Sequence, residues 1–541
     1  MVNSIFKFKV NLKGNTSLLI SFIVSALVVG LFSISFEPRW ETNDDIAMSM
    51  VAHGYGLAAY SSPNLFFSNI LYGHMVRVIP EINGILGYSI ATIGVLFAIA
   101  WSFAHCLNIS RIGYLGTLAV LVLILCRPIL FPQFTINAGL LMVSALICWN
   151  FYESQNNKIG PLIVGCLLAL MSYLVRSEEA FLILAVGSPL LPWSSLRKFR
   201  SAKIAFVLLA AAIGIAAVVD RNAYQSPEWS DFLELNSARA SFTDFGAADR
   251  LLQRPDILKK HEYSQNDIDL IKNWFFVDPN VANPDRLNAV LNELGPIPSQ
   301  TYSMDQVRRG LTTLWHPTLL PIMVAALLLL VLHPSWRGCA VWILCIAAVM
   351  VLGLIGRPGI LRVYIPLASL LLVTPLLCIR ESLANTSLLL NRAGILVLIG
   401  AAALNTSTVI AESKSMQITG KQVRDNLVHF PQTPVVFWGS VFPFEAVYPV
   451  MADSSIPMRY QIYGLGVFTL APFSISYYQQ NKEIGMLSQL RSTQGASILI
   501  DKERQQLLDQ YCLEHMQARL KQISERKYGT LSLKQLRCVP H

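Results

Sequence analysis

The chain has 541 residues, 53% of them hydrophobic and only 14% charged, with a mean hydropathy of +0.48 and a net charge of +9. That balance excludes an ordinary soluble domain and points to an all-α polytopic membrane protein. The basic residues form no long run, which argues against a nucleic-acid partner, and the lack of a Walker-type phosphate loop argues against an ATP-driven pump.

Hydropathy predicts about eleven spans, at 17–36, 82–106, 112–126, 134–152, 160–175, 180–193, 204–219, 318–333, 338–356, 363–378 and 393–411. The first follows basic residues, as a signal peptide would. However, SISFEP offers no small-x-small cleavage pattern and further spans follow, so it is read as a retained anchor. Just beyond it stand two adjacent acids, Asp44 and Asp45. A charge at a membrane boundary is costly unless water, a cation or a partner supports it, and two like charges raise that cost. The segment Asp45–Gly54 reads as an amphipathic helix, with Ile46, Met50 and Val51 on one side and Asp45, Ser49 and His53 on the other; Tyr55 follows. One of the two acids is expected to cap this helix, which leaves the other without a local role.

Three more short polar places follow. In RPILFPQFT, Pro128 and Pro132 are expected to break the helix and turn Arg127 and Gln133 toward a cavity. Between two apolar spans, Arg176-Ser177-Glu178-Glu179 packs three charges into four residues. In GRPGILRVYIP, Arg357 and Arg362 bracket a Pro-Gly turn, with Tyr364 beside them; two such arginines can grip one phosphate or anchor to lipid headgroups.

Two polar regions interrupt the spans. Residues 220–315 form a long loop with helical patches at Asn266–Phe276, capped by Asn266 or Asp267, and at Asp285–Leu294. A loop of that length is expected to cover or build a site. Residues 412–541 read as a small α/β domain, with strands in PVVFWG (434–439) and ASILID (496–501) and a helical run over 501–527. Seven of the nine cysteines fall in or beside spans; Cys512 and Cys538 lie in the polar domain and invite a disulfide. No CxxC or HExxH spacing suggests zinc.

Orientation follows from the basic residues. Every lysine of a short loop (Lys7, Lys9, Lys13, Lys158, Lys198, Lys203) falls on one side, and only arginines (39, 77, 127, 176, 357, 362) fall on the other. This predicts a cytoplasmic N-terminus and a periplasmic C-terminal domain. The four polar places then emerge on the outer face. Carboxylates beside arginines suit attack of a hydroxyl on a sugar whose leaving group is a lipid phosphate: an acid takes the proton and arginines neutralise the departing charge. The acids could also hold a divalent cation, Mg or Mn; no cofactor is certain.

This arrangement resembles the GT-C superfamily of integral-membrane glycosyltransferases that use polyprenyl-phosphate sugars. The likeness lies in the layout of 1–411, in Asp44-Asp45 as an acidic motif on the first outer loop, in Arg176-Ser177-Glu178-Glu179 as a later arginine–acid motif, in Arg357 and Arg362 as phosphate contacts, and in the outer C-terminal domain. The large mid-chain loop departs from several subfamilies. The resemblance implies an inverting transferase of the bacterial inner membrane, with Asp44 or Asp45 as base. Arg362, Arg357, Arg176, Glu178, Glu179, His53, Tyr55, Arg127, Gln133 and Tyr364 would bind substrate, and the acceptor would be a glycan, glycolipid or protein among membrane lipids. An O-antigen-type polymerase or ligase and a lipid-linked sugar flippase or transporter are the alternatives; a transporter would need polar residues within the spans or paired broken helices.

Overall fold

The computed structural model describes residues 14–109, 113–154, 157–296, 304–378, 388–451 and 460–540. Within them, seven helices are long and apolar enough to cross a bilayer, and Ile159–Val175, Leu320–Leu332 and Leu361–Leu377 are shorter apolar helices. With Ser177–Val186 and the 3-10 turn Ser188–Leu190 after it, these correspond to the eleven segments read from the sequence. The protein is a multi-pass membrane protein. Lys7, Lys9 and Lys13 lie outside the described residues.

Helix Phe134–Ser154 stands at the centre, almost wholly buried, against Gly87–Ile109, Ile159–Val175, Ser177–Val186 and Leu361–Leu377. Gly139 lets the last of these approach: a Cβ there would lie 2.4 Å from Pro366 and 3.0 Å from Glu179 Oε1. Small residues at such crossings allow backbones to close up where lipid supplies no hydrophobic drive. Around this core, helices Gly14–Ser35 and Arg200–Ala223 keep leucines, isoleucines and valines exposed, as lipid-facing surfaces do.

Three local expectations are corrected. Helix Leu388–Asn426 does not stop near 411; it continues as a polar helix beyond the apolar stretch, with no proline to end it before Asn426. Helix Gln265–Lys272 is capped by Ser264 in a capping box with Asp267, not by Asn266 or Asp267 alone. The run 501–527 is helical only as far as Met516. Gln517 turns left-handed (φ 50°), and 518–528 become a strand because a partner strand is available to pair with it.

The outer sheet has five strands: β1 (Val435–Trp438), β2 (Ile462–Leu465), β3 (Ala496–Leu499), β4 (Ala518–Tyr528) and β5 (Leu531–Pro540), in the order β2-β1-β3-β5-β4. The pairs β1–β2 and β1–β3 are parallel; β5 is antiparallel to β3 and forms a hairpin with β4. The mid-chain loop and this domain share one hydrophobic core. Phe275 packs on Trp438 and Tyr511 with ring centroids 5.3 and 4.9 Å apart, and Tyr511 Oη donates to Asp278 at 2.6 Å. Cys512 and Cys538 are disulfide-bonded, joining helix Lys502–Met516 to β5.

The first outer loop is clamped between this module and the membrane helices. Ile462 N–H donates to Gly56 O at 2.8 Å, Ile475 N–H to Leu57 O at 2.9 Å, and Ala59 N–H to Phe473 O at 2.8 Å. Gly56 thereby covers the outer edge of β2.

Candidate active site

Asp44 and Asp45 occupy the first turn of helix Asn43–His53, where the helix dipole favours negative charge. Neither is the cap, correcting the expectation: Thr42 holds that position, with no side-chain cap bond. Nor is the helix amphipathic. It is buried nearly all round: the side with Asp45 and His53 packs on helix Gly87–Ile109, and the side with Ala47 and Met50 faces the sheet.

The two acids part company in tertiary structure. Asp45 is fully buried; its Oδ1 accepts from Tyr88 Oη at 2.9 Å and from Phe134 N–H at 3.1 Å, while Oδ2 has no partner among the described residues. Burial, ahead of every other influence, pushes its carboxyl well above the usual carboxylate range. Asp44 points the other way and is partly exposed, with Oδ2 accepting from Arg362 Nη1 at 2.9 Å.

Asp44 lines a cavity of about 460 Å³. Arg176, Arg357, Arg362, Glu178, Glu179 and Tyr364 line it too. Loops separated by up to 318 residues of sequence thus converge on one space. Three guanidinium groups there face three carboxylates. Arg176 donates to Phe67 O at 3.0 Å, pairs with Glu178 at 3.1 Å and lies over the Phe134 ring. Arg357 rests over the Phe245 ring at 5.6 Å and has no carboxylate partner among the described residues. Glu179 is 3% exposed, and its Oε1 has no hydrogen-bond partner there. Such a group is expensive to bury unless something fills the cavity beside it.

Besides Asp45, four expected site residues do not line this cavity, and each has a structural task instead. His53 Nε2 accepts from Tyr88 N–H at 3.1 Å at the start of helix Gly87–Ile109; burial, with Arg77 second, draws it down to about 4, so it is neutral and fit to accept. Tyr55 is buried and donates to Ser49 Oγ at 3.0 Å. Arg127 bridges Glu41 and Glu412, each at 2.8 Å, tying the first outer loop to the long helix that leaves the membrane. Gln133 accepts from Ile136 N–H and donates to Thr135 Oγ1, closing the start of the central helix. In each case a nearby polar group claims the side chain first.

Sequence reasoning missed Phe67, Phe134 and Thr135 in the cavity wall, and Tyr88 beneath Asp45. It also missed a second, smaller cavity of about 140 Å³ on the other side of Asp44, formed against the outer sheet. Its signal was the Gly464-Leu465-Gly466 segment at the end of β2. Among the described residues the metal-ligand donors that gather three together are Asp267, Glu514 and His515 in the outer module, away from both cavities.

No family model matches the sequence, and no curated protein matches it. The fold is similar to the crystal structure of ArnT from Cupriavidus metallidurans in the apo state, with a TM-score of 0.40 and 13% identity over 97% of this chain and 98% of that one. It is likewise similar to the same protein bound to undecaprenyl phosphate, with a TM-score of 0.39 and 12% identity over 96% and 98%.

Proposed function

We propose that this protein is an inverting membrane glycosyltransferase that moves a sugar from a polyprenyl-phosphate donor to an acceptor hydroxyl. The observation that carries the reading is Asp44 standing between two cavities, one rich in arginine and one without a cation. The donor's phosphate would lie among Arg176, Arg357 and Arg362, where a low-dielectric membrane rim strengthens each charge. The acceptor oxygen attacks the anomeric carbon from the opposite side. The bond from that carbon to the phosphate oxygen breaks, the polyprenyl phosphate leaves as an anion, and the acceptor proton passes to Asp44.

Arg362 pairs with Asp44, and an arriving phosphate would offer its fork a bidentate partner. Moving there would free Asp44 to take the proton. The alternative source of positive charge, a divalent cation such as Mg or Mn, would have to be held by Glu178 and Glu179 on this cavity. With the arginine cavity on the periplasmic face of a bacterial inner membrane, the acceptor would be a glycan, glycolipid or protein of the cell envelope.

The polymerase or ligase reading shares the donor and is distinguished by its product, a repeat joined to a long chain. The flippase reading is disfavoured because the charges gather at one face of the helices and not along a path through them. The test is release of free polyprenyl phosphate from radiolabelled polyprenyl-phosphate sugars by the purified protein in lipid vesicles with cell-envelope extract. Movement of intact donor across the vesicle without release would refute the transferase.

A further inference from the structure

The second cavity carries a statement about the acceptor. It opens at the carboxyl ends of the parallel strands β1 and β2, the end of an α/β sheet where ligands characteristically bind, with Asp44 at its floor. Its walls include Phe437, Phe444 and Phe468, and no lysine, arginine or histidine is among the described residues that line it. Asp44 is the one acid on its lining and is already paired with Arg362 at 2.9 Å, so the lining itself offers an anionic acceptor no free cation.

The polar groups present suit a neutral oxygen. Ser474 Oγ accepts from Tyr477 N–H at 3.1 Å, Ser476 Oγ accepts from Leu470 N–H at 2.9 Å, and the two hydroxyls bond each other at 2.9 Å. Two hydroxyls bring two protons, and one proton serves their mutual bond. The other is left to donate. Both serines line the cavity and are almost fully buried. Gly464 and Gly466 leave the wall low: a Cβ on Gly466 would meet nothing within 4 Å, and one on Gly464 only Ile462 at 3.9 Å. Thr469 Oγ1 holds this loop in place, accepting from Gly466 N–H at 2.7 Å and donating to the Gly464 or Gly466 carbonyl.

Resting on the transferase reading, we propose that this cavity receives the acceptor and that the acceptor group is the hydroxyl of a single uncharged sugar ring, not a phosphate-bearing headgroup. Aromatic faces would cover the ring's apolar face, the free serine proton would meet a ring hydroxyl, and the attacking hydroxyl would point to Asp44. The cavity is well below the roughly 300–1,000 Å³ of drug-sized pockets, so it fits a terminal ring and not a chain.

The test is hydrogen-exchange protection of 462–468 in the full-length protein in lipid nanodiscs, with neutral methyl hexosides, hexose 6-phosphates and ethanolamine as probes. A methyl hexoside should protect this segment in the wild type and in Arg362→Ala. Protection should vanish in Gly466→Leu, whose side chain enters open space and leaves the fold intact, as unchanged exchange at β3 and β5 would verify. The proposal is overturned if the hexose phosphates or ethanolamine protect and the neutral glycosides do not, or if no glycoside protects. Should protection hold while Asp44→Asn still transfers sugar at the wild-type rate, the sugar cavity stands and the transferase mechanism through Asp44 falls.

Discussion

Replacing Asp44 and Asp45 one at a time by asparagine should give opposite results, because their surroundings differ so sharply. Asp44 lines both cavities and makes one ion pair, so Asp44→Asn keeps shape, removes the proton acceptor and leaves no buried group stranded. Transfer should fall by about 10²–10⁴-fold with little change in thermal stability. Asp45 is fully buried and its burial favours the neutral acid, which asparagine imitates. Its amide oxygen can still accept from Tyr88 Oη and Phe134 N–H, and its amide nitrogen replaces an oxygen that already lacks a partner. Asp45→Asn should therefore retain most transfer. Asp45→Ala strands both donors and should cost about 2–6 kcal/mol, at roughly 1–3 for each orphaned group.

The pH dependence provides an independent check on the same pair. With the folded carboxyl raised, its stabilising contribution is complete below the unfolded carboxylate value, about 3.9, and is lost as pH rises toward the folded value. Asp45→Asn should flatten the fall in apparent Tm as pH rises above about 4. The assay pairs product formation from labelled donor with apparent Tm across pH 4–8 in the same nanodiscs. Abolished transfer in Asp45→Asn alongside normal transfer in Asp44→Asn would refute the assignment of Asp44 as base.

Arg362→Ala should lower turnover by an amount equivalent to about 2–4 kcal/mol, and Arg362→Lys should be impaired as well because it keeps the charge but loses the planar fork; full turnover in both would move the phosphate elsewhere. Transfer should persist in EDTA, since three arginines already face the donor cavity, and restoration of lost activity by Mg or Mn would instead assign the charge role to a cation. Cys512 and Cys538 should resist alkylation until reduced, and Cys512→Ser with Cys538→Ser should cost on the order of 3 kcal/mol in the chain-entropy account. Free labelling without reductant would contradict the bond. Reporter fusions at the two ends of the chain should lie in opposite compartments, with the C-terminal one periplasmic; a shared compartment would place the cavity on the wrong face.

The sequence alone determined what depends on local composition. Each span needed only a long enough apolar run, so the segments ending at Ser35, Ser154 and Ala223 were legible directly. That Asp44, Arg176, Arg357 and Arg362 lie at one end of the helix bundle followed from loop order, and the disulfide from two cysteines left over in a polar domain. What periodicity could not reveal was which polar group each residue meets. Asp44 and Asp45 are neighbours with the same chemistry, yet one helix turn aims the first into two cavities and the second at Tyr88 and Phe134. His53, Tyr55, Arg127 and Gln133 looked like site residues because they are polar in outer loops. Tertiary packing assigned them to a helix start, Ser49, a pair of glutamates and a cap. The second cavity was hidden for the same reason. It exists only because β2 folds back over the first outer loop, joining Gly56 to Ile462 across some four hundred residues of chain, a contact that no local pattern encodes.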